Sequence, residues 1–137
     1  YGPRQNPHGE AGVVAIFSKK LLTGARPVIN GSGTQTRDYV FVGDVVRANV
    51  AGLEYPKNDI FNIGTGVEHD VNYLFDVLNE ASGKNVEKKH GPAQPGEQQR
   101  SVISYKKAEE TLDWSPTIPL DQGLRLTMDY FRDNCVS

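Results

Sequence analysis

The chain has 137 residues, 37% hydrophobic and 23% charged, with a formal net charge of −2. That balance is the one expected of a soluble globular domain and excludes a disordered, low-complexity chain. No Lys/Arg run exceeds two residues, and no apolar run approaches the roughly 18 residues of a membrane helix, so neither nucleic acid nor a membrane is an expected partner.

Tyr1 to Glu10 is rich in Gly and Pro and reads as the exit from a strand into a loop. Val13, Val14, Ile16, Phe17, Leu21 and Leu22 then recur at three-to-four spacing, which predicts a helix over about 11–23 with Gly24 as its stop. Val28 to Asn30 is a short strand, Gly31-Ser32-Gly33 a tight reversal, and Asp38 to Val42 a second strand of β-branched and aromatic residues. Asp44 is the expected cap of a helix carrying Val45, Val46, Ala48, Asn49 and Leu53 and ending near Tyr55-Pro56.

Asp59 to Gly64 is apolar and bounded by turn residues, the pattern of a buried strand. Asp70 caps a third helix with Val71, Leu74, Phe75, Val77 and Leu78 on one face, ended by Gly83. Lys84 to Lys89 reads as an edge strand, Gly91 to Glu97 as a loop and Ser101 to Ser104 as a brief pairing segment. Tyr105 to Leu112 is a short helix capped by Ser104. Past Trp114 a proline-containing connector leads to a last helix over about 120–133. Strands alternating with helices make this an α/β chain, treated as one unit over 1–137.

The chemistry-bearing motifs are few. Gly64-Thr65-Gly66 follows a predicted strand, but the third position of a dinucleotide turn would be His69, so an ordinary strand-to-helix turn is the better reading. The fourth residue after each tyrosine is never a lysine, which removes the Tyr-x-x-x-Lys pair of short-chain dehydrogenases. His8, His69 and His90 lie far apart and have no partner at metal-ligand spacing. The single Cys135 suits a reducing, cytoplasmic setting and is expected to fray with the terminus. Asn30-Gly31-Ser32 matches a glycosylation acceptor only formally. Arg37 beside Asp38 is either a surface ion pair, worth about 0–1 kcal/mol, or an anion clamp whose forked donors meet phosphate oxygens.

Five ordered motifs decide between these readings: Tyr1-Gly-Pro-Arg, the run from Val28 through Val45, Phe61-Asn-Ile-Gly-Thr-Gly, Pro95-Gly-Glu and Leu112-Asp-Trp-Ser-Pro. Together they resemble the C-terminal half of an extended short-chain dehydrogenase, and within that superfamily the nucleotide-sugar epimerases of the UDP-glucose 4-epimerase type. The resemblance implies an α/β substrate-binding portion whose strands complete a Rossmann sheet, the N-terminal Rossmann core lying outside this chain. It implies an NAD-dependent enzyme acting on a UDP-sugar, homodimeric as a full-length protein, with a dehydratase, decarboxylase or reductase on the same half-fold as alternatives. A non-catalytic nucleotide-sugar-binding module is a further alternative from a different class.

Residue by residue, the resemblance puts Arg37 on the substrate diphosphate, Val28 and Asn30 along uracil and ribose, and the backbone of Gly12 and Val13 against the nucleotide. Glu97 falls where the family has an acid on the ribose hydroxyls. Gln94 stands where many relatives carry a second phosphate-binding arginine, with Arg100 nearby, and Tyr1 falls at the cofactor. No catalytic or metal-binding residue is expected in this chain. The NAD loop and the catalytic Tyr/Lys pair belong to the half it does not include, so the chain alone is expected to be inactive.

Overall fold

The computed structural model describes residues 1–8 and 12–134. The helical stripe on residues 13 to 22 forms α1 (Val13–Leu22), with Thr23 as C-cap and Gly24 at φ +76°. Residue 11 and Cys135 lie outside the described residues, and with them the first residue of the expected helix and the expected fraying of the cysteine. Two short strands follow, β1 (Ile29–Asn30) and β2 (Thr36–Asp38), then α2 (Val42–Glu54). Next come β3 (Glu68–Asp70), α3 (Val71–Ser82), β4 (His90–Gly91), α4 (Lys106–Leu112) and α5 (Leu120–Asn134). β1 pairs in parallel with β4, and β2 pairs antiparallel with β3, in two separate two-stranded sheets.

Helices carry most of the core. On α3, Val71, Leu74, Phe75 and Leu78 repeat at i, i+3, i+4 and i+7, so one face is apolar and buries against α1 and α5. Phe17 meets Phe75 edge-on at 6.1 Å between ring centroids, and Leu21, Ile29, Leu124, Met128 and Phe131 close the cluster. Asp70 caps α3 as its sequence predicts, its carboxylate accepting from Tyr73 N at 2.7 Å, and Gly83 ends the helix in the left-handed conformation at φ +70°. A smaller core joins Ala48 of α2, Ala108 of α4 and Trp114, with Phe61, Ile63, Tyr105 and Leu112 around them.

Several expected elements are displaced. Of the predicted strand 38–42 only Asp38 lies in a strand, as the last residue of β2, and Val42 already begins α2. Val40 O and Val42 N are bonded to Tyr1 (2.9 and 2.8 Å), so the apolar residues 39–42 run beside Tyr1. Phe41 is therefore the N-cap of α2, and Asp44 is not: it sits in the first turn and turns inward. Its carboxylate accepts from Thr117 N and Ile118 N, both at 3.1 Å, from Thr117 Oγ1 at 2.8 Å and from Arg47 at 2.7 Å, tying α2 to the connector before α5. The expected buried strand 59–64 is not a strand, because no described segment pairs with it, and Ile60 is 83% exposed. The edge strand expected over 84–89 forms instead at His90–Gly91, where β1 supplies a partner. Segment 101–104 forms no ladder, and Tyr105 rather than Ser104 holds the N-cap position of α4, although Ser104 Oγ accepts from Lys106 N at 3.3 Å.

Asp44 makes a stability prediction. Burial alone would raise its pKa, but the bonds from Arg47, Thr117 and Ile118 outweigh this and hold it below the ordinary 3.8. A depressed folded pKa contributes stability that is complete above the unfolded value and is lost as pH falls through the folded one. Asp44→Asn will lower stability at pH 7 by about 1–3 kcal/mol. Urea midpoints will show the gap between wild type and variant closing as pH falls below about 4.

Candidate functional site

The site begins with two periodicities. Along β2 and its flanks, Gln35, Arg37 and Tyr39 point to one side and Thr36 and Asp38 to the other, the two-residue alternation of an extended strand. Along α1, Val13, Ile16, Phe17 and Lys20 share one helical face. Where these surfaces face each other they enclose a cavity of about 520 Å³, completed by Gly12, Val28, Asn30, Val71 and Glu97.

Arg37 is fixed from behind. Both bonds from its NH1 nitrogen go to backbone carbonyls, of Thr36 and Gln98, each at 2.7 Å. Its NH2 nitrogen lies 3.9 Å from the Glu97 carboxylate, a loose ion pair. A guanidinium has five N–H donors in a rigid fork, so anchoring two of them orients the rest without using them up. Gln35 ties the wall together, donating from Nε2 to Asn30 O at 3.1 Å and to Glu97 Oε1 at 3.4 Å. Tyr39 contributes a neutral phenol: burial, with Asp70 and Glu97 against the opposing pull of Arg37, pushes its pKa up to about 12. The cavity thus offers a cation, a carboxylate, a phenol and apolar walls, a combination that can hold a molecule with an anionic middle and a flat, less polar end.

The other side of β2 explains the paired Asp38. Its carboxylate accepts from Thr65 N (2.9 and 3.0 Å), Thr65 Oγ1 (2.6 Å) and Gly66 N (3.0 Å). Asp38 is therefore a structural clasp on the Gly64-Thr65-Gly66 turn. With a carboxylate already on the turn's N–H groups, that turn does not fit the pyrophosphate of a dinucleotide.

Of the eight residues singled out from the sequence, Arg37, Asn30, Val28, Glu97, Gly12 and Val13 line this one cavity. Gln94 and Tyr1 do not. Gln94 is exposed in the turn whose backbone O accepts from Glu97 N at 3.2 Å. Tyr1 stacks edge-on against Tyr39 and Phe41 and donates its hydroxyl to Leu120 O at 3.3 Å. Arg100 is engaged elsewhere, in a two-pronged pair with Glu68 at 2.8 and 2.9 Å. Sequence reading missed Gln35, Tyr39, Phe17 and Lys20, though the alternation from Arg37 and the helical spacing from Val13 both point to them. A second groove, between α2 and α4, is lined by Ala48, Gly52, Leu53, Phe61, Ile63 and Leu112 and carries no charged group.

The architecture is that of a C-terminal portion of an extended short-chain dehydrogenase/reductase. More narrowly, the chain belongs to the family described as GDP-mannose 4,6 dehydratase, whose model matches residues 1–127. Over 134 residues it is 45% identical to a protein of Methanocaldococcus jannaschii described as a putative UDP-glucose 4-epimerase, covering 98% of this chain and 43% of that protein. A crystal structure of UDP-glucose 4-epimerase from Thermotoga maritima with UDP-glucose superimposes with a TM-score of 0.93 at 49% identity, over 97% of this chain and 43% of that one. A Thermus thermophilus UDP-glucose 4-epimerase complexed with NAD matches at 41% identity and a TM-score of 0.89, over 98% of this chain and 44% of that one. The chain thus spans under half the length of these relatives.

Proposed function

We propose that this chain is the substrate-binding portion of an NAD-dependent UDP-glucose 4-epimerase, which interconverts UDP-glucose and UDP-galactose. The observation that carries the reading is the convergence of Arg37, Glu97, Asn30, Val28, Gly12 and Val13 on one cavity. In this reading Arg37 grips the diphosphate, Glu97 accepts from the ribose hydroxyls, and Val28, Asn30 and the Gly12–Val13 backbone border the uridine. NAD, when bound, would supply the redox change at the sugar carbon, held mainly by residues outside this chain. What this chain contributes is retention: the nucleotide stays clamped while the sugar turns, which keeps the reaction intramolecular. The relatives named as UDP-glucose 4-epimerases support the choice of sugar. The reading carries with it a cytoplasmic, homodimeric full-length protein.

The exposed Gln94, outside the cavity, favours a second reading in which the same portion serves a related dehydratase, decarboxylase or reductase. The full-length protein incubated with UDP-galactose separates the two. Appearance of UDP-glucose is the expected result. Consumption of another nucleotide sugar with UDP-galactose untouched would replace the first reading with the second.

A further inference from the structure

Resting on that reading, we infer that Lys20 selects the nucleobase, donating from Nζ to a ring carbonyl of uracil. Lys20 lines the cavity and lies on the α1 face that carries Val13, Ile16 and Phe17. From Val13 to Lys20 the helix rises roughly 10 Å, so the two residues mark opposite ends of the cavity wall. The chain itself fixes which end Lys20 occupies. Lys20 O accepts from Ala25 N at 2.8 Å, and Val28 follows Ala25 by three residues, so Lys20 stands beside the start of β1. Arg37 and Glu97 are grouped instead around Gln35 and the carbonyl of Asn30, two residues further along β1.

A nucleoside diphosphate with its phosphates at Arg37 and its ribose at Glu97 extends its base toward Val28. The cation waiting there is Lys20. Its neighbour Lys19 lies 3.0 Å from His8 Nε2, whereas the Lys20 ammonium makes no hydrogen bond or ion pair among the described residues. An ammonium has three donors and no acceptor, so it pairs with the O4 carbonyl of uracil and has nothing to offer the exocyclic amino group that cytosine carries at the same position. A site that meets a substrate acceptor with a charged donor discriminates against an analogue that presents a donor instead.

The test is calorimetric titration of the full-length protein with UDP and with CDP, for wild type, Lys20→Met and Lys20→Arg. Wild type is expected to prefer UDP. Lys20→Met should weaken UDP by about tenfold or more and leave CDP nearly unchanged, and Lys20→Arg should retain most of the preference. Equal weakening of UDP and CDP would make Lys20 a general electrostatic contact and overturn the assignment, as would no change in either. Wild type that binds neither nucleotide would overturn the nucleotide-sugar reading itself, a result distinct from binding that ignores Lys20.

Discussion

Replacing Trp114 with alanine will destabilise the chain by about 3–5 kcal/mol, the range for truncating a buried aromatic. Trp114 is 1% exposed and is the centre of the smaller core, with Ala48, Ala108, Phe61, Ile63, Tyr105 and Leu112 around it. Its ring meets Tyr105 edge-on at 5.9 Å, and its indole N–H donates to Asp44 O at 2.9 Å. The substitution therefore opens a cavity and at the same time removes the buried hydrogen bond to Asp44 O. Trp114→Phe will help separate the two costs, since it keeps much of the packing but loses the hydrogen bond, itself about 1 kcal/mol. Trp114 is the only tryptophan. Urea unfolding of the variants must accordingly be followed by circular dichroism, and a midpoint equal to wild type would show that this cluster contributes little to the folded state.

Under the proposed function, Arg37→Ala in the full-length protein will weaken binding of the nucleotide sugar by about 2–4 kcal/mol, the cost of removing one partner of a charged, hydrogen-bonded pair. That corresponds to a roughly 30- to 700-fold rise in Kd. The geometry adds to the expectation, because Arg37 is held in place by the carbonyls of Thr36 and Gln98 before any ligand arrives. Little rotamer freedom remains to be lost on binding. Arg37→Lys should recover only part of the affinity, since an ammonium cannot bond two backbone carbonyls and still present a planar fork to a diphosphate. Titration with UDP reads both variants. Unchanged affinity in Arg37→Ala would make the residue a wall of the cavity, and its ion pair with Glu97 an ordinary one.

The elements legible in the sequence were those whose signal is local. α1, α3 and α5 each carry an apolar stripe long enough to define a period, and α3 adds a cap at Asp70 and a left-handed stop at Gly83. The strands were harder, for a physical reason. β2 and β3 are polar three-residue segments, Thr36-Arg37-Asp38 and Glu68-His69-Asp70, with no alternation of apolar and polar residues to announce them. They exist because each completes the other's backbone hydrogen bonds. The run 59–64, which did carry a strand pattern, has no described partner and forms no strand. Asp44 shows the same limit in one side chain: its type and position fit a helix cap, but Thr117 and Ile118, more than seventy residues away, claim its carboxylate.

By itself, then, the sequence determined the helical framework, the α/β class and the residues by which the family resemblance could be drawn, all of which depend on composition and short-range spacing. Tertiary structure alone decided that Arg37, Glu97, Asn30 and Val28 share one cavity with Gly12 and Val13, that Gln94 and Tyr1 do not, and that Lys20 joins them. Those relations depend on the packing of α1 against α3 and α5 and on the return of the loop carrying Glu97. Contacts of that separation are set by the packing of the whole chain, and no window of neighbouring residues contains them.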